Sequence, residues 1–218
     1  MTGSVFLNCK KRSIRMQFFK LGHSCTFSGI GASEMSEYKD TGLSVSSFVF
    51  KEEKRMKKVL VVMGSDSDLK VMEKCVDRLR SFEIPAEVRI VSAHRTPAAA
   101  EQLAKNAAAE GFGVIIAAAG KAAHLGGVLA AYTTLPVIGV PMATSVMGGM
   151  DSLLSIVQMP KGIPVATVAI DGADNAAILA AQMIALSDEA LAGRLAQFKA
   201  EMAAEVAAKD EKVRAQFS

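Results

Sequence analysis

The sequence predicts a doubly wound α/β fold, a parallel sheet with helices on both faces, followed by one long C-terminal helix. Three observations carry this expectation. From Lys57 onward, strand-like and helix-like segments alternate about every 25–30 residues. The strand segments are near-continuous apolar runs, as expected where both faces of a sheet are covered. Alanine dominates the second half of the chain, which suits helices that pack closely through small faces.

The elements follow in order. Val59 to Met63 is a short apolar run and reads as the first strand. The segment after it places Leu69, Met72, Val76 and Leu79 at helical spacing, and Ile84-Pro85 ends that helix. Cys75 lies on the apolar side and is expected to be core filler. Val88 to Val91 is the second strand. Pro97 suits the first turn of a second helix running to about Glu110, with Gly111 and Gly113 beyond its end. Val114 to Ala118 is the third strand, and a helix is expected around Val128 to Thr133. Val137 to Val140 is the fourth strand, followed by a helix over Met150 to Gln158. Val165 to Ile170 is the fifth strand, and Asn175 to Leu186 is helical. From Asp188 onward one long helix carries Leu191, Leu195, Phe198, Met202 and Val206. It is longer than a small sheet needs for its own cover, so it is expected to be an arm on a neighbouring subunit, the alternative being a solvated tail helix folded on its own domain.

Residues 1–55 differ from this body. They show no sustained period of 2 or 3.6, and the first 30 residues contain Lys10, Lys11, Arg12, Arg15 and Lys20 without an acid. That composition suits an organelle-import leader. The preferred reading is a start assigned too far upstream, with Met56 opening the real body and cytoplasmic location following. Disorder and dispensability are expected for 1–55 in either case, and 56–218 are expected to form the catalytic domain.

Charge excludes some functions. Residues 1–55 hold 9 basic and 5 acidic residues, whereas 56–218 hold 16 and 17. The folded body therefore has no basic surplus for nucleic acid. Leu125 to Met150 lacks charge and is long enough to span a bilayer, but glycines and prolines break it, so no membrane segment is expected. Cys9, Cys25 and Cys75 form no CxxC pair, and the acids and three histidines show no ligand spacing. Neither a disulfide framework nor a metal is expected.

In an open parallel sheet, ligands bind beyond the carboxyl ends of the strands. Gly64-Ser65-Asp66-Ser67-Asp68 follows the first strand. Gly64 would permit a tight turn, Ser65 and Ser67 offer hydroxyls to a phosphate at a helix start, and Asp68 suits a ribose diol. A plain helix cap by Ser65 or Ser67 explains the same residues. Ser92-Ala93-His94-Arg95-Thr96 follows the second strand. There Arg95 offers a fixed positive charge to phosphate, and His94 is a proton carrier near neutral pH. Ala119-Gly120-Lys121-Ala122-Ala123-His124 follows the third strand. Ala119 and Gly120 leave room for a flat ring against the backbone, and His124 is either a second polar contact or a helix histidine.

These segments, together with Ser155-Ile156-Val157-Gln158-Met159-Pro160-Lys161-Gly162-Ile163-Pro164-Val165, resemble the PurE family from about Lys57 to the C-terminal helix. The resemblance implies a flavodoxin-like three-layer fold, a homo-octamer, and an active site at a subunit interface completed by a neighbour. It implies a step of purine biosynthesis, the conversion of N5-carboxyaminoimidazole ribonucleotide into 4-carboxy-5-aminoimidazole ribonucleotide without metal, nucleotide or biotin. Ser65, Ser67, Ser92 and Arg95 would hold the phosphate and Asp68 the ribose. His94 would be the acid/base, and Gly120 and His124 would line the ring pocket. Many mutases of the family have Gly where Lys121 stands and Pro where Gly126 stands; a solvent-facing Lys121 is expected. The Arg-Thr-Pro and Ala-Ala-His-Leu segments favour the mutase over the branch that carboxylates aminoimidazole ribonucleotide directly with CO2. A phosphosugar-binding regulatory module without catalysis is the rival of another class.

Overall fold

The computed structural model describes Thr2–Cys9, Arg12–Leu21, Ser24–Thr26 and residues 56–217 apart from Val146. The chain divides into two units, Met1–Arg55 and Met56–Ser218.

In the first unit, β1 (Thr2–Cys9), β2 (Arg12–Leu21) and β3 (Ser24–Thr26) pair in an antiparallel meander. Thr2 pairs with Phe19 and Cys9 with Arg12. The apolar pattern points to no element here. Strands adjacent in sequence reach each other through short connections, so an antiparallel pair needs no long apolar repeat to bring it together. Disorder is expected for residues 1–55; Thr2–Cys9, Arg12–Leu21 and Ser24–Thr26 are strands instead, and residues 27–55 lie outside the described residues.

The second unit is a five-stranded, all-parallel sheet in the order β5-β4-β6-β7-β8. The strands are β4 (Lys58–Met63), β5 (Ala86–Ile90), β6 (Phe112–Ala119), β7 (Val137–Pro141) and β8 (Ala166–Thr167). The helices are α1 (Leu69–Ser81), α2 (Pro97–Ala107), α3 (Leu125–Tyr132), α4 (Met150–Val157), α5 (Ala173–Ala185) and α6 (Glu189–Gln216). The chain starts at β4, moves to β5 on one side, then returns to β6 on the other. That is the flavodoxin-like order, and its switch point lies between β4 and β6.

Alternation along the central strands builds two cores. Val59, Val61, Met63, Val114, Ile116 and Ala118 face one way, onto Met72, Cys75 and Leu79 of α1, the alanines of α5, and Leu191 of α6. Leu60, Val62, Ile115 and Ala117 face the other way, onto Ala100 and Ala104 of α2, Leu129 of α3 and Ile156 of α4. Gly139 lets α4 close on the sheet, because a Cβ there would collide with Ile156 Cγ2. Cys75 is fully buried, and burial pushes its thiol up to about 12, which keeps it from ionising near neutral pH.

The edges depart from the sequence reading. β5 is an edge strand, and Val88 and Ile90 are 39% and 56% exposed instead of covered. β8 is two residues long instead of six, since the chain turns away through Asp171 (φ 55) and Gly172 N–H bonds back to Ala169 O. α6 is capped by Asp188, whose carboxylate accepts the Leu191 N–H at 3.0 Å. Leu191 and Leu195 are buried, and Phe198 meets Phe82 edge-on at 5.4 Å. Met202, Val206 and Val213 beyond them are exposed. No described helix is long and apolar enough to cross a membrane, and Leu125–Met150 divides into α3, β7 and a loop.

Candidate active site

A cavity of about 580 Å³ opens at the carboxyl ends of β4, β5, β6 and β7. All eight residues singled out by the sequence line it: Ser65, Ser67 and Asp68 after β4, Ser92, His94 and Arg95 after β5, and Gly120 and His124 after β6. They are separated by as many as 59 positions in the chain, and the parallel sheet brings their strand tips to one rim.

The loop after β4 is a single turn of 3-10 helix, Asp66–Asp68, capped by Ser65. The Ser65 hydroxyl oxygen accepts the Ser67 N–H at 3.3 Å and donates to Asp66 at 3.1 Å. The capping role and the cavity-lining position therefore coincide in one residue. The Ser67 hydroxyl donates to the Asp68 carboxylate at 3.3 Å. Asp68 is 8% exposed, and burial raises its carboxyl above the ordinary 3.8, opposed by hydrogen bonds from the Ser67 side chain and the Ser65 backbone; nearby Asp171 and Asp66 push it further up. Gly64 corrects the sequence reading: its φ is not positive, and a Cβ would meet nothing closer than 3.8 Å, so the turn does not demand glycine.

The loop after β5 is tied by its own side chains. Thr96 accepts the Ser92 N–H at 3.0 Å and returns its hydroxyl to Ser92 O at 3.0 Å. The Ser92 hydroxyl accepts from the Arg95 backbone at 3.1 Å and from Arg95 Nε at 3.5 Å, and Arg95 Nη2 reaches Gly64 O at 3.4 Å. The guanidinium thus bridges the first two strand tips. Pro97 opens α2 directly after, where its missing N–H costs no helix bond.

The loop after β6 brings His124 to His94. His94 Nε2 and His124 Nδ1 lie 2.9 Å apart, with the rings edge-on at 75°. One ring must donate and the other accept, so this contact is compatible with at most one imidazolium in the pair. Lys121, in the same loop, also lines the cavity. Neither Arg95 nor Lys121 has an ion-pair partner among the described residues.

The fourth strand tip escaped the sequence reading. Met142, Ala143, Thr144 and Ser145 line the same cavity after β7. Asp171 accepts the Ala143 N–H at 2.9 Å, and Asp151 accepts the Thr144 hydroxyl at 2.9 Å. The available signal was position: the carboxyl-end rule applies to Val140-Pro141 as it does to the first three strands, although Met-Ala-Thr-Ser carries no ionisable group. Conversely, Ser155–Val165, part of the recognisable pattern, lies outside the cavity lining. Met159 packs on Gly127 of α3, and Val165 belongs to the core beneath. No group of three or more His, Cys, Asp or Glu that could hold a metal occurs among the described residues.

With two cations, a buried acid, paired imidazoles and serine hydroxyls, the cavity can bind an anionic hydroxylated ligand and move a proton. Known proteins are similar to this chain. The chain is 56% identical over 153 residues to an N5-carboxyaminoimidazole ribonucleotide mutase of Mycobacterium tuberculosis (strain CDC 1551 / Oshkosh), covering 70% of this chain and 88% of the relative. It is 52% identical over 159 residues to the protein of that name from Methanocaldococcus jannaschii, covering 73% and 99%. The crystal structure of Treponema denticola PurE superposes with a TM-score of 0.67 at 29% identity, covering 72% of this chain and 98% of that one. Residues 58–205 match the model of the family described as AIR carboxylase, and the chain belongs to that family.

Proposed function

We propose that this protein is an isomerase of purine biosynthesis that converts N5-carboxyaminoimidazole ribonucleotide into 4-carboxy-5-aminoimidazole ribonucleotide. The observation that carries the reading is the convergence of the β4, β5 and β6 tips on one cavity holding a paired histidine. Similarity above 50% to two mutases across nearly their whole length supports the substrate.

Ser65, Ser67, Ser92 and Arg95 hold the phosphate, Asp68 accepts from the ribose hydroxyls, and the imidazole lies against Gly120 and His124. His94 delivers a proton to the exocyclic nitrogen as its bond to the carboxyl carbon breaks, releasing CO2 and aminoimidazole ribonucleotide in the site. The ring carbon then attacks CO2, and the proton on that carbon leaves to the histidine. Atoms balance without a cofactor. Holding CO2 against the nucleophilic carbon makes the second step a matter of proximity. His124 orients His94 and keeps one ring nitrogen of the pair available as acceptor.

This route needs a closed site, because free CO2 would be lost to solvent. In the single chain His94, Arg95 and His124 are exposed. Met150, Leu154 and Val157 form an exposed apolar stripe on α4, and Met202 and Val206 a second on α6. We assign these faces to neighbouring copies in a homo-octamer that closes the site, with no nucleic acid or membrane partner, and we place the reaction in the cytoplasm. Light scattering on the purified protein checks the assembly; an active monomer would contradict it.

The deciding experiment supplies the purified protein with the carbamate and no added bicarbonate. Conversion to the 4-carboxy product is expected. Reaction only with aminoimidazole ribonucleotide and CO2 would replace the mutase by the direct carboxylase, and binding without any turnover would leave a regulatory module.

A further inference from the structure

Lys121 stands out within the cavity. Its φ is +57, in the left-handed region, which is strained for an L-residue with a Cβ. The conformation is imposed from outside. The Ser152 hydroxyl oxygen accepts the Lys121 N–H at 2.9 Å and donates onward to Met142 O at 2.8 Å, while the Ser155 hydroxyl, which donates to Asp151 O at 2.7 Å, also reaches Lys121 O at 3.3 Å. Ser152 is fully buried, and both serines lie one turn apart on α4. Strain of this kind persists where the surroundings over-determine it, and it gathers at sites that use it. Glycine would sit there without strain.

The charges of the cavity say what it can do. Its ionisable lining residues are Asp68, His94, Arg95, Lys121 and His124. Arg95 is tied to Ser92 and Gly64 at the β4 and β5 tips, the imidazoles engage each other, and Asp68 repels an anion. Lys121 is the remaining cation, with no ion pair or side-chain hydrogen bond among the described residues, three positions before His124. The substrate proposed above carries two anions, a phosphate at one end and a carboxylate at the other. Two cations on separate loops answer two anions at separate ends. We propose that the Lys121 ammonium binds the substrate carboxylate, making Lys121 a specificity-determining residue that separates carboxylated from uncarboxylated ribonucleotide. The proposal rests on the ribonucleotide reading.

Titration calorimetry with two ligands tests it. Wild type and Lys121→Met, which keeps the stem and removes the charge, are titrated with 4-carboxy-5-aminoimidazole ribonucleotide and with aminoimidazole ribonucleotide. The variant is expected to lose about 10-fold in affinity for the carboxylated ligand and less than about 2-fold for the other. Lys121→Arg should restore most of the difference, and Lys121→Gly should lose it while melting no lower than wild type, since glycine relieves the left-handed strain. Equal losses for both ligands, or none for either, would overturn the role of Lys121 while leaving the ribonucleotide reading standing. Wild type binding neither ligand would remove that reading and this proposal together.

Discussion

The interior of the sheet and its carboxyl rim are built from the same five strands but held by different physics. Inside, Val59 to Met63 and Val114 to Ala118 are almost wholly buried on both faces, and packing carries them. At the rim, His94, Arg95, Lys121 and His124 are exposed, and short hydrogen bonds within and between loops hold the backbone. Stability therefore resides in the interior and the proposed chemistry at the rim, so substitutions in the two regions should fail differently.

Four changes break or sharpen that contrast. The largest effect is expected from His94→Asn, which should lower turnover about 10²–10⁴-fold. Its melting temperature and ribonucleotide affinity should be nearly unchanged, because the residue is exposed. Steady-state kinetics beside calorimetry reads both, and unaltered turnover would remove His94 from the reaction. The mirror image is Ile116→Ala, fully buried between β4 and β7. It should cost about 2–5 kcal/mol of stability in denaturant titration while each folded molecule keeps its activity.

Asp68 tests the boundary between the regions, being buried yet at the rim. Its carboxyl is raised in the folded state, so the native protein holds that proton more tightly than the unfolded chain. The group's contribution to stability is thus greatest below 3.8 and declines as pH rises through the raised folded value. Asp68→Asn should flatten that decline and melt slightly higher at pH 7, while KM rises about 10-fold from the lost ribose contact. A lower melting temperature at pH 7 would mean that Asp68 supports the loop more than burial penalises it. The smallest effect is expected from starting the chain at Met56, where activity should be unchanged; a soluble but inactive shortened protein would make residues 1–55 part of the working enzyme.

What was legible in the sequence follows the same division. The strands of the second unit and the helix beginning at Pro97 are legible because burial leaves local marks, and the eight rim residues because the carboxyl-end rule and the family resemblance point to their loops. The role of Gly64 is not legible, since a glycine at a strand end looks the same whether or not its φ requires it. The β7 tip was missed because Met142–Ser145 carries no charge to flag it. The long β8 was expected from an apolar run that in the fold has a neighbour on one side only and turns away.

Periodicity and residue type by themselves determined the parallel α/β body and its candidate chemistry, because each strand and helix records in its own side chains which faces will be buried. Only the tertiary structure decided that His94 meets His124 at 2.9 Å, that Asp171 and Asp151 secure the fourth loop, and that Ser152 and Ser155 hold Lys121 left-handed. Those contacts join residues as many as 34 positions apart, and no local pattern encodes a distance that exists only after the strands have aligned.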